Sequence, residues 1–131
     1  MKLLLDTHCW LWQLLEPVKL NASASALLID PTHEIYFSAA SAWEIVVKFG
    51  LGKLSIPQPP MEYIPDRMAA MGHRPLPITQ THALKLHGLP TVHKDPFDRI
   101  LVAQALVENM QLMTADPMLR KYPAPLIWAG T

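Results

Sequence analysis

Cysteine is nearly absent. A lone Cys9 in 131 residues has no partner for an internal disulfide and no second thiolate with which to share a zinc ion. That usage fits a reducing, cytoplasmic setting. An excess of either charge is also missing: eleven Lys and Arg stand against eleven Asp and Glu, so the formal net charge is zero. No global basic field draws in a polyanion, and any contact with nucleic acid has to be local. There is no long hydrophobic run either. Asp, Glu, Lys, Pro or His interrupts every apolar stretch short of the roughly 18 residues a membrane span needs. Asp6 cuts the opening MKLLL well below the apolar core of a signal peptide, so the N-terminus reads as mature and the protein as soluble. No internal repeat and no low-complexity segment is visible. What the chain does have is an apolar half with 17% charged residues, the balance of a packed globule rather than a disordered chain. Its length suits one domain spanning residues 1–131.

Hydrophobic spacing divides the chain into short strands and helices in alternation. Lys2 to Leu5 reads as a buried strand, followed by helical spacing in Trp10, Leu11, Leu14 and Leu15 that Pro17 ends. Asn21 to Ile29 predicts a helix with Asn21 as its N-cap. Ile35-Tyr36-Phe37 is β-prone, and Ser38 opens a helical pattern through Phe49 that Gly50 and Gly52 terminate. Pro57, Pro59 and Pro60 mark a loop. Beyond it Met61 to Met71 reads as a helix despite Pro65, Arg74 to Ile78 as an edge strand and Thr79 to His87 as a short helix. A polar loop from Gly88 to Pro96 delivers His93, Lys94 and Asp95. Phe97 to Asn109 is a longer helix, Gln111 to Thr114 a strand, and Leu126 to Trp128 a last strand or an apolar tail. Such alternation implies a parallel sheet covered on both faces.

In a sheet of that kind ligands sit beyond the carboxyl ends of the strands. Acids gather at those junctions. Asp6 follows LLL, Glu44 lies in the helix after IYF, Asp95 and Asp98 straddle the start of the long helix, and Asp116 follows LMTA. Gathered at one sheet edge, these carboxylates repel and raise one another's pKa unless a cation neutralises them. Oxygen-only ligation suits hard divalent ions such as Mg²⁺ or Mn²⁺, and the chemistry that goes with them is phosphodiester hydrolysis. A plainer reading competes at each position. Asp6 can cap the first helix, Ser41 to Glu44 fits a capping box, Asp95-Pro96-Phe97-Asp98 places a cap and a first-turn acid around a proline, and Asp116-Pro117 repeats that pattern. Capping accounts for each acid separately, though not for their gathering at one edge.

Four blocks, LLLDTHCWLW, SAWEIVVKFGLGKL, HKDPFDRILVAQA and LMTADPMLRKY, resemble the PIN domain, in particular the VapC-like toxins of bacterial toxin-antitoxin pairs. The resemblance covers nearly the whole chain, with the blocks in the family's order and spacing. It implies an α/β/α sandwich with a central parallel sheet. It also implies Mg²⁺-dependent ribonuclease activity, with Mn²⁺ as the other candidate ion, and hydrolysis of RNA by a metal-activated water. A cognate antitoxin and a homodimer complete the expectation. The family's acidic positions fall on Asp6, Glu44, Asp98 and Asp116, and Asp95 is a feature of the DPFDR subgroup.

Other residues are candidates for supporting roles. Thr7 and Thr114 lie beside the acids and are placed to orient a metal's waters, or else to make strand-end hydrogen bonds. Lys48, Lys53, Lys94 and Arg99 lie in or near the motif blocks as local phosphate contacts; the alternatives are solvated helix faces for the lysines and a carboxylate partner for Arg99. Six histidines do not make a zinc site: His82 and His87 are five apart and no HExxH occurs. His8 and His93 are candidates for positioning RNA or donating a proton, with a half-buried place on a helix face as the alternative. Trp10, Trp12 and Trp43 can stack bases, or belong to the core or a subunit contact. Two rival functions remain at this point: a catalytically inactive PIN-like module that binds RNA or protein, and a partner-binding domain whose acids only cap helices.

Overall fold

A computed structural model describes residues 1–92 and 94–131; His93, named above for positioning RNA, lies outside the described residues. Five strands, β1 (Lys2–Leu5), β2 (Glu34–Ser38), β3 (Arg74–Leu76), β4 (Gln111–Thr114) and β5 (Leu126–Trp128), form one sheet in the order β3-β2-β1-β4-β5. Every pairing is parallel. The helices are α1 (Thr7–Leu15), α2 (Ala22–Ile29), α3 (Ala39–Gly50), α4 (Pro60–Met71), α5 (Gln80–Lys85) and α6 (Pro96–Glu108), with short 3₁₀ turns at 17–19, 86–88 and 117–121.

β1 is the centre, and Leu3, Leu4 and Leu5 are all fully buried because both faces of the strand are covered. Leu3 and Leu5 pack into one layer with Trp10, Phe37, Ile45 and Tyr63. Leu4 packs into the other with Leu101, Val102, Leu112 and Leu119. The result is the expected α/β/α sandwich. From β1 the chain moves outward through β2 to β3, then returns to the other side of β1 for β4 and β5. The crevice between β1 and β4 is therefore where the strand order reverses, the place at which open parallel sheets bind ligands.

Several local expectations change once tertiary contacts are visible. Gly50 is still helical, and the turn beyond it needs Gly52, whose φ is +71°. The Thr79–His87 helix shortens to α5 plus a 3₁₀ turn. Trp10 is not available for stacking on bases or for a subunit contact. It is fully buried, its ring 4.3 Å from that of Phe37 and edge-on to Tyr63, and its Nε1–H donates to His73 Nδ1 at 3.0 Å. Burial lowers the His73 pKa, which suits a neutral ring accepting that bond. Trp12 is half-buried and Trp43 is exposed, resting edge-on against Phe97.

Candidate active site

The first acid corner is built where β1 and β4 end side by side. Leu5 pairs with Met113, and the Asp6 amide donates to the Met113 carbonyl at 3.0 Å, so the residues after both strands emerge together. Asp6 is the N-cap of α1, one carboxylate oxygen accepting from the Cys9 N–H at 2.7 Å. Its other oxygen accepts from the Thr114 hydroxyl at 2.5 Å, and the same hydroxyl oxygen accepts from the Asp116 N–H at 3.0 Å. Asp116 in turn caps the 3₁₀ turn at 117–121 through the Met118 N–H. Thr114 thus ties the two acids together. Asp6 is only 3% exposed. Burial raises its pKa, and the bonds from Thr114 and Cys9, with a weaker attraction from His8, offset only part of that cost.

The second corner is built on α3. Ser38 caps this helix, its hydroxyl accepting from the Ala40 N–H, so Ser41 and Glu44 sit inside the helix and the capping-box reading of that pair falls. Glu44 is turned inward instead and is 2% exposed. Its Oε1 accepts from the Thr7 hydroxyl at 2.6 Å, and Thr7 Oγ1 lies 3.0 Å from Ser41 Oγ. Ser41 is the site hydroxyl that sequence reasoning missed; its only signal was a small polar residue one helical turn before Glu44. The remaining Glu44 oxygen pairs with Lys48 Nζ, four residues on. Burial works against that ammonium, but the Glu44 bond and charge, with attraction from Asp95 and Asp98, outweigh it and raise the Lys48 pKa.

The third contribution comes from the start of α6. Asp95 is its N-cap, accepting from the N–H groups of Phe97 and Asp98 around Pro96 as the first helical residue. Asp98 lies in the first turn, half-buried. Arg99 has no carboxylate partner among the described residues: its guanidinium reaches the Leu86 carbonyl at 3.5 Å and its Nε is buried without a partner. That places Arg99 against the α5–α6 connection rather than at the site. Lys53 and Lys94 are exposed.

Asp6 and Asp116 line one hollow of about 230 Å³ together with His8, Trp12 and Ala115. Glu44 reaches the same sheet edge through Thr7, the residue after Asp6, and the charges of Asp95 and Asp98 attract its partner Lys48. Among the described residues, no three carboxylate, histidine or cysteine side chains close around one point as a metal cage.

Comparison with known proteins decides the family. The PIN domain pattern matches residues 3–125. The chain belongs to the PIN domain family. Over 57 residues, 44% of the chain and 40% of the relative, this PIN domain is 46% identical to Ribonuclease VapC16 of Mycobacterium tuberculosis (strain ATCC 25618 / H37Rv). Over 129 residues, 95% of the chain and 97% of the relative, it is 29% identical to Ribonuclease VapC22 of the same organism. In fold it is similar to a chain of the Rickettsia felis VapBC2 structure bound to promoter DNA. The TM-score is 0.75 at 14% identity, covering 98% of this chain and 99% of that one. DNA-bound VapBC from Salmonella typhimurium gives 0.68 at 13% identity, with 97% of each chain covered. At those identities the solved structures speak to the fold.

The donor set of this PIN domain fits a hard divalent cation in kind. Asp6 and Asp116 offer oxygens in a shared hollow, and among the described residues no cationic side chain is hydrogen-bonded to Asp6. Mg²⁺ is commonly held by one or two carboxylates with waters completing its shell, so a closed cage of protein ligands is not required.

Proposed function

We propose that this PIN domain is a metal-dependent endoribonuclease, the toxin of a toxin-antitoxin pair, which hydrolyses RNA phosphodiester bonds with Mg²⁺ or Mn²⁺. The observation that carries the reading is Asp6: a buried carboxylate whose hydrogen-bond partners among the described residues are all neutral, at the reversal of strand order, facing a hollow it shares with Asp116. Leaving a charge so placed costs stability unless a cation arrives. The names of its relatives, Ribonuclease VapC16 and VapC22, point to RNA as the substrate.

Asp6, Asp116 and Asp98 would hold the ion, while Glu44, its charge matched by Lys48, would fix the α3 side of the site. When bound there, Mg²⁺ lowers the pKa of a neighbouring water and offsets charge on the phosphoryl oxygens. The chain's own groups do the positioning. Thr114 and the Cys9 amide each take one Asp6 oxygen and fix the plane of its carboxylate. Thr7 does the same for Glu44. Lys53 and Lys94, both exposed, would supply local positive charge toward a phosphate chain that the neutral protein does not otherwise attract.

The partners follow from the company the fold keeps. Similar solved structures include VapBC complexes and a toxin-antitoxin complex from Klebsiella pneumoniae, which supports an antitoxin partner for this chain. The outer face of α3, with Trp43, Val46, Val47 and Phe49 exposed, supports a homodimer or that partner. No helix among the described residues is long and apolar enough to cross a membrane.

One observation favours a second reading, an inactive RNA- or protein-binding module: Lys48 already neutralises one of the acids. A cleavage assay on mixed single-stranded RNA, titrated with Mg²⁺ and Mn²⁺ and then with chelator, separates the two. Metal-dependent cleavage that chelator abolishes is expected. Binding without cleavage at any metal concentration would establish the module.

A further inference from the structure

The acidic hollow is not isolated. His8 and Trp12 line it, and the same two side chains line a larger groove of about 690 Å³ that continues away from the acids. One wall of that groove is the outer stripe of α1, where His8, Leu11, Trp12 and Leu15 follow one another at helical spacing. The facing wall is the segment after α3, chiefly Leu54 and Ile56. From His8 to Leu15 the stripe runs about 10 Å at the helical rise.

We propose that this groove is a nucleobase subsite, taking an unpaired base of the strand whose phosphate lies at Asp6 and Asp116. The proposal rests on the ribonuclease reading above and adds where a base of that RNA sits. Trp12 is half-buried and packed on the core, so its ring is held rather than swinging. The exposed His8 ring stands 6.3 Å from it, tilted by 55°. Together they put two π-faces at the mouth between the hollows, and aromatic faces stack on any base with little regard to sequence. Glu16 and Lys19 also line the groove, paired with each other at 3.0 Å, with the Lys19 Nζ 5.6 Å from the Trp12 ring centroid. Apolar walls leading directly out of the acid hollow fit a base splayed from a single strand; a duplex keeps its bases stacked inside and presents only backbone to such a groove.

The test is a double-mutant cycle between protein and RNA. Cleavage sites of the wild type are mapped on short single-stranded oligonucleotides with Mg²⁺. Abasic residues are then placed one at a time on either side of the scissile bond, and KM and kcat are measured for the wild type and for Trp12→Leu. At one flanking position the abasic substitution should raise KM about 10-fold in the wild type, the scale of one lost base stack. Trp12→Leu should raise KM for intact RNA by a similar factor, change KM more than kcat and make the abasic substitution nearly neutral. Trp12→Phe, which keeps a ring, should restore most of the affinity. Ser55→Glu, on the exposed facing wall and clear of the core, should also raise KM, more so at low salt, and it answers if Trp12→Leu fails to fold. Abasic penalties that are equal in wild type and Trp12→Leu, or absent at every position while cleavage proceeds, overturn the subsite and leave the ribonuclease standing. A change of oligomeric state in Trp12→Leu by light scattering, with base dependence intact, would give the groove to a second copy of the chain. Absence of metal-dependent cleavage of any RNA removes both proposals together.

Discussion

Two buried carboxylates, Asp6 and Glu44, occupy the same sheet edge and are handled in opposite ways. Asp6 is held by a backbone N–H and a threonine hydroxyl, both neutral. Glu44 has a threonine hydroxyl and a lysine from its own helix. Hydrogen bonds orient a buried charge but do not cancel it, whereas an ammonium does both. The chain therefore completes the Glu44 corner by itself and leaves the Asp6 corner with a charge that a cation from outside can answer. On this view the ion's place is decided by which acid lacks a lysine rather than by how many acids are near.

The largest effect expected from this contrast belongs to Asp6→Asn. Removing the uncompensated charge should lower RNA cleavage by about 100-fold or more, since metal chemistry contributes several kcal/mol of transition-state stabilisation. The same variant should melt higher than wild type in metal-free buffer. The sign follows from burial: the folded-state pKa of Asp6 lies above its ordinary value of 3.8, so folding favours the protonated form. Stability on this account falls as pH rises from that value through the folded-state pKa, and Asn escapes the fall. Wild-type cleavage by Asp6→Asn would break the comparison at its root.

Asp95 and Asp98 sharpen it next. Asp95→Asn still caps α6 and should keep most stability and part of the activity, whereas Asp98→Asn should remove most metal-dependent cleavage with little change in melting temperature. The reverse ranking, in paired cleavage and calorimetric measurements, would put the ion nearer the cap.

The two threonines offer a matched pair. Thr114→Val strips Asp6 of a donor and should cost about 10-fold to 100-fold in cleavage, the range for groups that orient a ligand. Thr7→Val leaves Glu44 with Lys48 and should cost less. Equal losses would mean that the lysine does not compensate Glu44. Lys48→Met tests that point on stability: it should destabilise by about 1–2 kcal/mol, below the loss for a fully buried pair because the lysine is partly exposed. Lys48→Met with Glu44→Gln should recover most of that in denaturant unfolding.

Much of this was legible in the sequence, and the failures share a cause. Asp95 as a cap was readable because Asp-Pro-Phe-Asp specifies its geometry within four residues. The central strand was readable because LLL is buried on both faces. Ser41 and Glu44 looked like a capping box because the spacing is local. Their actual partners, Thr7 and Lys48, depend on α1 packing against α3 and on α3 starting at Ser38. Trp10 and Trp12 are two apart, so a helix turns them to different faces: one into the Phe37 and Tyr63 cluster, the other to the rim of the groove. Arg99 beside Asp98 suggested a pair, yet its guanidinium turns to the Leu86 carbonyl. Periodicity names the faces of an element; only tertiary packing says what meets them.

The smallest effect lies away from the acids and serves as a control. The folded-state pKa of His73 is below its ordinary 6.5 because the ring is buried. The unfolded chain therefore takes up a proton first, and stability should fall as pH drops below that value toward the folded-state pKa. His73→Gln should flatten this slope at a cost of about 1 kcal/mol for the bond from Trp10, without altering cleavage beyond its effect on folding.

The most direct test of the central claim needs no RNA. Melting temperature is followed in wild type and Asp6→Asn while Mg²⁺ is titrated. If the uncompensated Asp6 charge makes the cation site, Mg²⁺ raises the wild-type melting temperature progressively and leaves Asp6→Asn, already higher without metal, almost unmoved. Equal Mg²⁺ responses in the two proteins would contradict it.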